Sequence, residues 1–159
     1  MTTGLDTFDK TVQETNLWLK GIMERLGTED RHCAYAILRA TLHALRDRIG
    51  PENAVHLGAQ LPMLLRGLYY EGWHMSGTPT KERHEAQFIA HVHKMLHKML
   101  RNQDEAEAKR GIRATLDVLS DRIDRGEAVK LAIMFPVEMR DLWPDIIREA
   151  AETRQSGAQ

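Results

Sequence analysis

Apolar residues in the first part of the chain recur at the three- and four-residue spacing of a helix that buries one face. Phe8, Val12, Leu19, Ile22 and Leu26 all lie on one such stripe. Similar stripes follow along the rest of the chain, and no segment alternates apolar and polar residues over the length of a strand. The pattern therefore predicts an all-α fold.

Turn residues divide this pattern into separate helices. Gly27 ends the first helix, and the second runs to about Ile49. Pro51 opens a short third helix, and a fourth runs from Pro62 to about Tyr70. After a linker over residues 72–80, further helices are expected near 81–101, 104–123, 127–134 and 137–150, followed by a disordered tail over 152–159.

One stretch of sequence occurs twice, with its copies 74 residues apart. Residues 39–69 and 113–143 align without a gap, and 14 of the 31 paired positions are identical. A fixed internal repeat of this kind indicates that one structural unit is used twice. We therefore expect a single domain over residues 1–159, with units at about 8–71 and 82–145 packed as a compact bundle with pseudo-two-fold symmetry.

The two units share both apolar and polar side chains. The shared apolar stripe predicts five buried residues, Leu45, Ile49, Leu116, Leu119 and Ile123. The shared polar residues are expected to cross-link helix ends, since a feature kept in both units serves their common packing more readily than a single site. An acid–base or anion-binding role is the alternative. They are Arg39, Asp47, Arg48 and Arg66, with the counterparts Arg113, Asp121, Arg122 and Arg140.

Three short motifs recur in each unit in the same order. They are Leu-x-x-Leu-x-Asp-Arg-Ile, then Ala-Val-x-Leu, then Leu-Pro-x-x-x-Arg-x-Leu, in which Phe135 of the second unit replaces Leu61 of the first. This duplicated arrangement resembles the bacterial family catalogued as domain of unknown function 2267, over roughly residues 8–143. The resemblance implies an all-α fold and brings no established activity with it.

Charge and composition argue against nucleic acids and membranes as partners. The 22 basic and 23 acidic residues leave a net charge of −1, so we expect no nucleic-acid binding, which requires a basic face. The longest apolar runs, such as residues 131–137, are far shorter than the roughly 20 residues of a membrane span, so no membrane segment is expected. A single Cys33 and an N-terminus without signal-peptide features indicate the cytoplasm.

Histidine is the residue type most concentrated in one place. His93 and His97 lie four residues apart on one face of a predicted helix, a spacing at which two imidazoles can share a metal ion. A His-Glu-x-x-His motif is absent, because Lys94 and Met95 follow His93. We therefore expect surface histidines and no cofactor, with a metal site as the alternative.

An aromatic cluster precedes the linker. Tyr69, Tyr70 and Trp73 are candidates for an interface anchor, because tyrosine and tryptophan dominate binding hot spots. They equally suit a seal at the junction between the two units. Nucleophile and phosphate-binding motifs are absent from the sequence, so no catalytic residue is expected. The favoured function is a protein-interaction or self-association module, and the alternative is a metal- or cofactor-binding protein that uses His93 and His97.

Overall fold

A computed structural model describes residues 2–157, and every regular element in that range is a helix. The all-α prediction is confirmed. The elements are α1 (Asp6–Leu26), α2 (Arg31–Ile49), α3 (Pro51–Gly58), α4 (Met63–Tyr70), α5 (Glu85–Leu96), α6 (Glu105–Arg122), α7 (Arg125–Met134), a 3-10 helix η1 (Val137–Leu142) and α8 (Asp145–Gly157).

Matching residues begin matching helices. Asp30 caps α2 by accepting a hydrogen bond from the amide of Cys33 at 3.2 Å, and Asp104 caps α6 through the amide of Glu107 at 2.8 Å. Pro62 and Pro136 precede α4 and η1 with the same backbone angles, φ −54° and ψ 150°. These local signals repeat because the residues that provide them repeat.

The helix starts show the same 74-residue spacing. α2 and α6 start at residues 31 and 105, α3 and α7 at 51 and 125, and α4 and η1 at 63 and 137. Two elements depart from this spacing. α5 covers 85–96, less than the 81–101 expected from the pattern, and α8 matches residues 71–83, where the structure has no helix.

The core is one continuous cluster built around α2 and α6, which pack against each other. The first helix of each unit packs against the second helix of the other, so that α1 contacts α6 and α5 contacts α2. α1 also packs against α2, and α5 against α6, so each first helix contacts both central helices and the two units form a single bundle. The five residues of the shared stripe are buried as predicted: Leu45, Ile49, Leu116, Leu119 and Ile123.

At the centre of this bundle a residue meets its own counterpart. Ile37 of α2 lies against Gly111 of α6, and these two positions are 74 residues apart (37 + 74 = 111). A Cβ atom at Gly111 would lie 2.9 Å from Cγ2 of Ile37. The missing side chain therefore allows α2 and α6 to approach closely at this point.

The last part of the chain differs from the sequence prediction. Residues 137–150 were expected to form one helix, but η1 ends at Leu142 and α8 begins at Asp145. Pro144 explains the break, because the residue before a proline avoids helical angles, and Trp143 is extended with ψ 154°.

The predicted disorder of the tail is wrong over residues 152–157. α8 continues to Gly157, and residues 158–159 lie outside the described part of the chain. Arg140 donates a 2.6 Å hydrogen bond to Gln155 Oε1, and this contact fixes the last turns of the helix to the body of the protein. In the range that the structure covers, no helix combines the length and apolar character needed to cross a membrane.

The close approach of α2 and α6 yields a stability prediction. Gly111→Ala should lower the free energy of unfolding by about 1–3 kcal/mol, because the new methyl group collides with Ile37. In an Ile37→Ala background the same change should be neutral or stabilising by up to about 1 kcal/mol, since alanine is the better helix former.

Urea unfolding of the four proteins of this double-mutant cycle measures the coupling. Gly67→Ala is a matched control, because a Cβ atom on that helical glycine meets nothing within 4 Å. Equal effects of the changes at Gly111 and Gly67 would contradict the close approach.

Candidate functional site

His93 and His97 lie at the C-terminal end of α5, with ring centroids 5.8 Å apart. Nε2 of His93 donates a 2.6 Å hydrogen bond to the carbonyl oxygen of Gln103, which ties α5 to the loop before α6. Within residues 2–157, no group of three or more His, Cys, Asp or Glu side chains is arranged to hold a metal ion. The contact found at His93 joins α5 to the loop before α6.

The aromatic candidates separate into a buried residue and a half-buried pair. Tyr69 is 0% exposed, and its hydroxyl donates a 2.7 Å hydrogen bond to the carbonyl oxygen of Ala54. Tyr69 therefore cannot anchor an interface, which corrects that candidate. Tyr70 packs its hydroxyl against Gly58 and stacks on Trp73 with ring centroids 5.6 Å apart.

Arg66 joins α4 to the end of α3. Its Nε donates to the carbonyl oxygen of Gly58 at 2.8 Å, and its Nη2 donates to those of Leu61 at 3.0 Å and Ala59 at 3.5 Å. Gly58 is the last residue of α3, and its carbonyl oxygen also accepts from the amide of Leu61 at 3.2 Å, while Ala59 and Leu61 follow the helix. One guanidinium thus satisfies the end of a short helix and fixes the Leu-Pro turn.

Arg140 repeats this arrangement in the second unit. Its Nε donates to the carbonyl oxygens of Ala132 at 3.2 Å and Phe135 at 3.1 Å, and its Nη2 donates to that of Ile133 at 3.2 Å. Each acceptor lies 74 residues after an acceptor of Arg66, because 58 + 74 = 132, 59 + 74 = 133 and 61 + 74 = 135. The two arginines therefore donate to the same three carbonyl positions in the two units.

The other shared polar residues have different partners in the two units. Asp47 accepts from Nε of Arg46 at 2.9 Å, whereas Asp121 pairs with Arg25 at 2.6 Å. The remaining contacts are Arg39 with Glu71 at 3.6 Å and Arg48 Nε with the carbonyl oxygen of Glu82 at 3.0 Å, while Arg113 and Arg122 make no hydrogen bond or ion pair with the described residues.

Two buried polar residues were missed by the sequence analysis. Nε2 of His43 donates to the carbonyl oxygen of Leu68 at 2.8 Å, and Nη1 of Arg46 donates to that of Tyr69 at 2.7 Å. Both side chains donate to carbonyl oxygens at the C-terminal end of α4. Arg46 also places a positive charge there, which is favourable at a helix C-terminus. The available signal was their position between the apolar residues of α2, but the repeat does not preserve them, since Asp117 and Ser120 are their counterparts.

Cys33 has no environment that would activate it. Burial, followed by the nearby carboxylates of Asp30 and Glu107, raises the pKa of the Cys33 thiol. A thiol with a raised pKa holds little thiolate at neutral pH and is a poor nucleophile. Its side chain is partly buried and packs against the edge of the core.

An open groove lies between α1, α2 and α4, with a volume of about 390 Å³. Its wall is mainly apolar, and Val12 and Leu64 are 38% and 48% exposed. Phe8, one turn before Val12 on α1, is 49% exposed, and Leu5, the extended residue that precedes α1, is 50% exposed. The lining residues are Val12, Thr15, Asn16, Leu19, Tyr35, Leu38, Leu64, Gly67, Leu68 and Glu71.

Three of the ten positions that line the groove have a charged counterpart in the second unit in place of an uncharged residue. Tyr35, Leu64 and Gly67 of the groove have Lys109, Glu138 and Asp141 as counterparts 74 residues later. The shared helices therefore accept charged side chains at these places. It follows that packing of the unit does not require the apolar character of the groove.

A second cleft, of about 220 Å³, separates α3 from α7. Leu57 and Leu131 are its most buried residues, at 1% and 5% exposure. Each lining residue on the α3 side of the cleft lies 74 positions before a lining residue of α7. The cleft is therefore lined by four pairs of counterparts. They are Asn53 with Glu127, His56 with Lys130, Leu57 with Leu131 and Gln60 with Met134.

The two matching arginines are expected to differ in their contribution to stability. Arg140 is 4% exposed, so Arg140→Ala should lower the free energy of unfolding by about 3 kcal/mol by leaving buried carbonyls unsatisfied. Arg66 is exposed, so water can replace its hydrogen bonds and Arg66→Ala should cost about 1 kcal/mol or less. Thermal and urea melts test both, with the exposed Arg113→Ala as control. Unchanged melts together with lost partner binding would instead make these arginines part of a binding site.

His43 predicts how stability depends on pH. Burial, opposed by the hydrogen bond to Leu68 and aided by the charge of Arg46, lowers the pKa of His43 below its ordinary value of 6.5. His43 therefore binds a proton more readily in the unfolded chain than in the folded protein. The free energy of unfolding should therefore have its full value above pH 6.5. Below that pH it should decrease by at most about 1.4 kcal/mol per pH unit.

Melts between pH 7.5 and 5.0, about the range in which histidine titrates, measure this dependence. His43→Gln should flatten the curve, whereas His32→Gln, at an exposed position of the same helix, should leave it unchanged. Identical slopes for wild type and His43→Gln would show that another group is responsible.

Comparison with known proteins identifies a family. None of the curated proteins matches the chain. A family model described as "Uncharacterized conserved protein (DUF2267)" matches residues 15–103, from the middle of α1 to the loop after α5. The match covers 89 of the 159 residues (103 − 15 + 1 = 89), which is more than half of the chain. The chain therefore belongs to the DUF2267 family of uncharacterized conserved proteins.

Proposed function

We propose that this protein is a non-catalytic helical interaction module that binds a second copy of itself through the groove between α1, α2 and α4. The observation that carries the proposal is the contrast between the two units. The groove is lined by apolar residues such as Leu64, whereas the counterpart Glu138 is charged. An exposed apolar surface that packing does not require is typical of a protein-binding site.

The surface beside the groove favours a second copy as its occupant. Phe8 is about half exposed and lies one helical turn before Val12, which lines the groove, and the equally exposed Leu5 directly precedes α1. A protruding apolar ridge next to an apolar groove is self-complementary, because a two-fold axis lets each copy insert its ridge into the other's groove. Self-association therefore needs no further component.

We also propose that the two units arose as copies of one helical unit related by a pseudo-two-fold axis. The common 74-residue spacing of helix starts supports this relation. So do the contact of Ile37 with its counterpart Gly111 and the cleft lined by paired residues of α3 and α7. In this view the second unit stabilises the bundle, and the first unit carries the binding groove.

The chemistry of the chain supports a protein partner. A net charge of −1 gives no general attraction to polyanions such as nucleic acids. The single, partly buried Cys33 suits a reducing compartment, and the cytoplasm is the location we propose.

Self-association can be tested without knowledge of any other component. Wild-type protein should sediment as a dimer at concentrations of about 10–100 μM, and Leu64→Glu should shift it to the monomer by placing a charge in the apolar interface. The variant should keep its melting temperature within a few degrees, because the second unit accepts Glu138 at the matching position.

Leu17→Glu provides the matched control for sedimentation. Leu17 is 43% exposed on α1, close to the 48% of Leu64, but it does not line the groove. It should therefore leave the dimer intact. A wild-type monomer at all of these concentrations, or equal loss of the dimer in both variants, would contradict the proposed function.

A further inference from the structure

α8 covers one face of the second unit, and the first unit has no helix at the matching place. α8 packs along α7 and buries Ile147 and Ala151, which are 1% and 0% exposed. The positions that correspond to α8 in the first unit are residues 71–83, which form no helix. They run instead past the end of α2, where the amide of Thr80 donates to the carbonyl oxygen of Asp47 at 2.8 Å.

Residues of identical type differ in exposure between the two units. Val55 of α3 is 51% exposed, while its counterpart Val129 of α7 is 6% exposed. Arg66 is exposed, while its counterpart Arg140 is 4% exposed. Because the residue types and the arginine contacts are the same, the difference reflects the covering helix and not the helices beneath it.

The arginines also differ by one hydrogen bond. Nη1 of Arg140 donates to Oε1 of Gln155 in α8 at 2.6 Å. Nε and Nη2 of Arg66 make bonds that match those of Arg140, but its Nη1 has no acceptor between residues 2 and 157. The first unit therefore presents an exposed valine and an uncommitted guanidinium N–H where the second unit binds its own helix.

We propose that this outer face of α3, formed by Val55, Ala59 and the guanidinium of Arg66, binds an amphipathic helix of a partner protein. α8 shows the chemistry that such a helix needs. Ile147, Ala151 and Gln155 are spaced four residues apart and therefore share one face of α8. The partner helix carries an Ile-x-x-x-Ala-x-x-x-Gln pattern, with the two apolar residues against Val55 and the amide oxygen on Nη1 of Arg66.

Nearby aromatic residues border this face. Tyr70 packs against Gly58, the neighbour of Ala59 in α3, and stacks on Trp73. Both rings are half buried, so their outer edges can contact a bound helix. Aromatic side chains at the border of an apolar face are frequent in binding hot spots.

A second copy's α8 is a poor occupant for this site. That helix already covers α7 of its own chain, where it buries Ile147 and Ala151. Moving it to another copy would expose one face in order to cover another. The α3 face is also distinct from the groove of the proposed function, which is formed by α1, α2 and α4.

The experiment uses a fluorescently labelled peptide of residues 144–157 as the probe and the full-length protein as the receptor. Fluorescence anisotropy should show saturable binding with a dissociation constant on the order of 1–100 μM. Val55→Glu should weaken binding by about tenfold or more, because it places a charge against the apolar face of the peptide. A Gln155→Ala peptide should bind about three- to tenfold more weakly through loss of one hydrogen bond to a charged group.

Control variants make each result decisive. Val137→Glu, at a residue that is 65% exposed in η1, should leave peptide binding unchanged. Leu64→Glu, which tests self-association, should also leave it unchanged, so failure of one proposal is distinguishable from failure of the other.

The peptide proposal is overturned if no saturable binding is seen at peptide concentrations up to about 1 mM. A dissociation constant of that size corresponds to a binding free energy of about 4 kcal/mol. Equal binding to wild type and Val55→Glu overturns it as well, because the peptide would then be displacing α8 or binding elsewhere.

Discussion

The close contact between α2 and α6 is the constraint on which the rest of the molecule depends. Ile37 packs against Gly111, and the missing side chain brings the two central helices together. α1 and α5 then cross from their own unit to pack on the other, so the core becomes continuous. Neither unit can bury its apolar faces alone in this arrangement, because each supplies part of the other's core.

Short helices around this centre are held by charge-assisted hydrogen bonds. α3 and α7 have too few turns to be stable by themselves, and their terminal carbonyls need donors. Arg66 and Arg140 supply donors to three matching carbonyl oxygens each, and His43 and Arg46 donate to carbonyls at the end of α4. In this chain, these side chains therefore connect helix ends to neighbouring helices.

Binding surfaces arise where the two units stop resembling each other. Leu64 and Gly67 of the groove have the charged counterparts Glu138 and Asp141, and α8 has no matching helix in the first unit. The core tolerates such differences because the residues of the shared stripe, such as Leu45 and Leu119, remain buried in both units. The same framework thus leaves outward-facing positions free to change, and both proposed sites lie at such positions.

The sequence by itself determined the all-α class, most of the helices and the buried stripe. These features depend on contacts within a few residues, such as the caps at Asp30 and Asp104, and on a periodicity that is visible along the chain. The tertiary structure decided which side chains are exposed, because the periodicity does not show which apolar faces another helix covers. Tyr69 looked like an anchor but is fully buried, and the tail after Glu152 looked disordered but forms a helix because Arg140 reaches Gln155. Exposure depends on which helix covers a face, and the identical residues Val55 and Val129 show that this cannot be deduced from residue type.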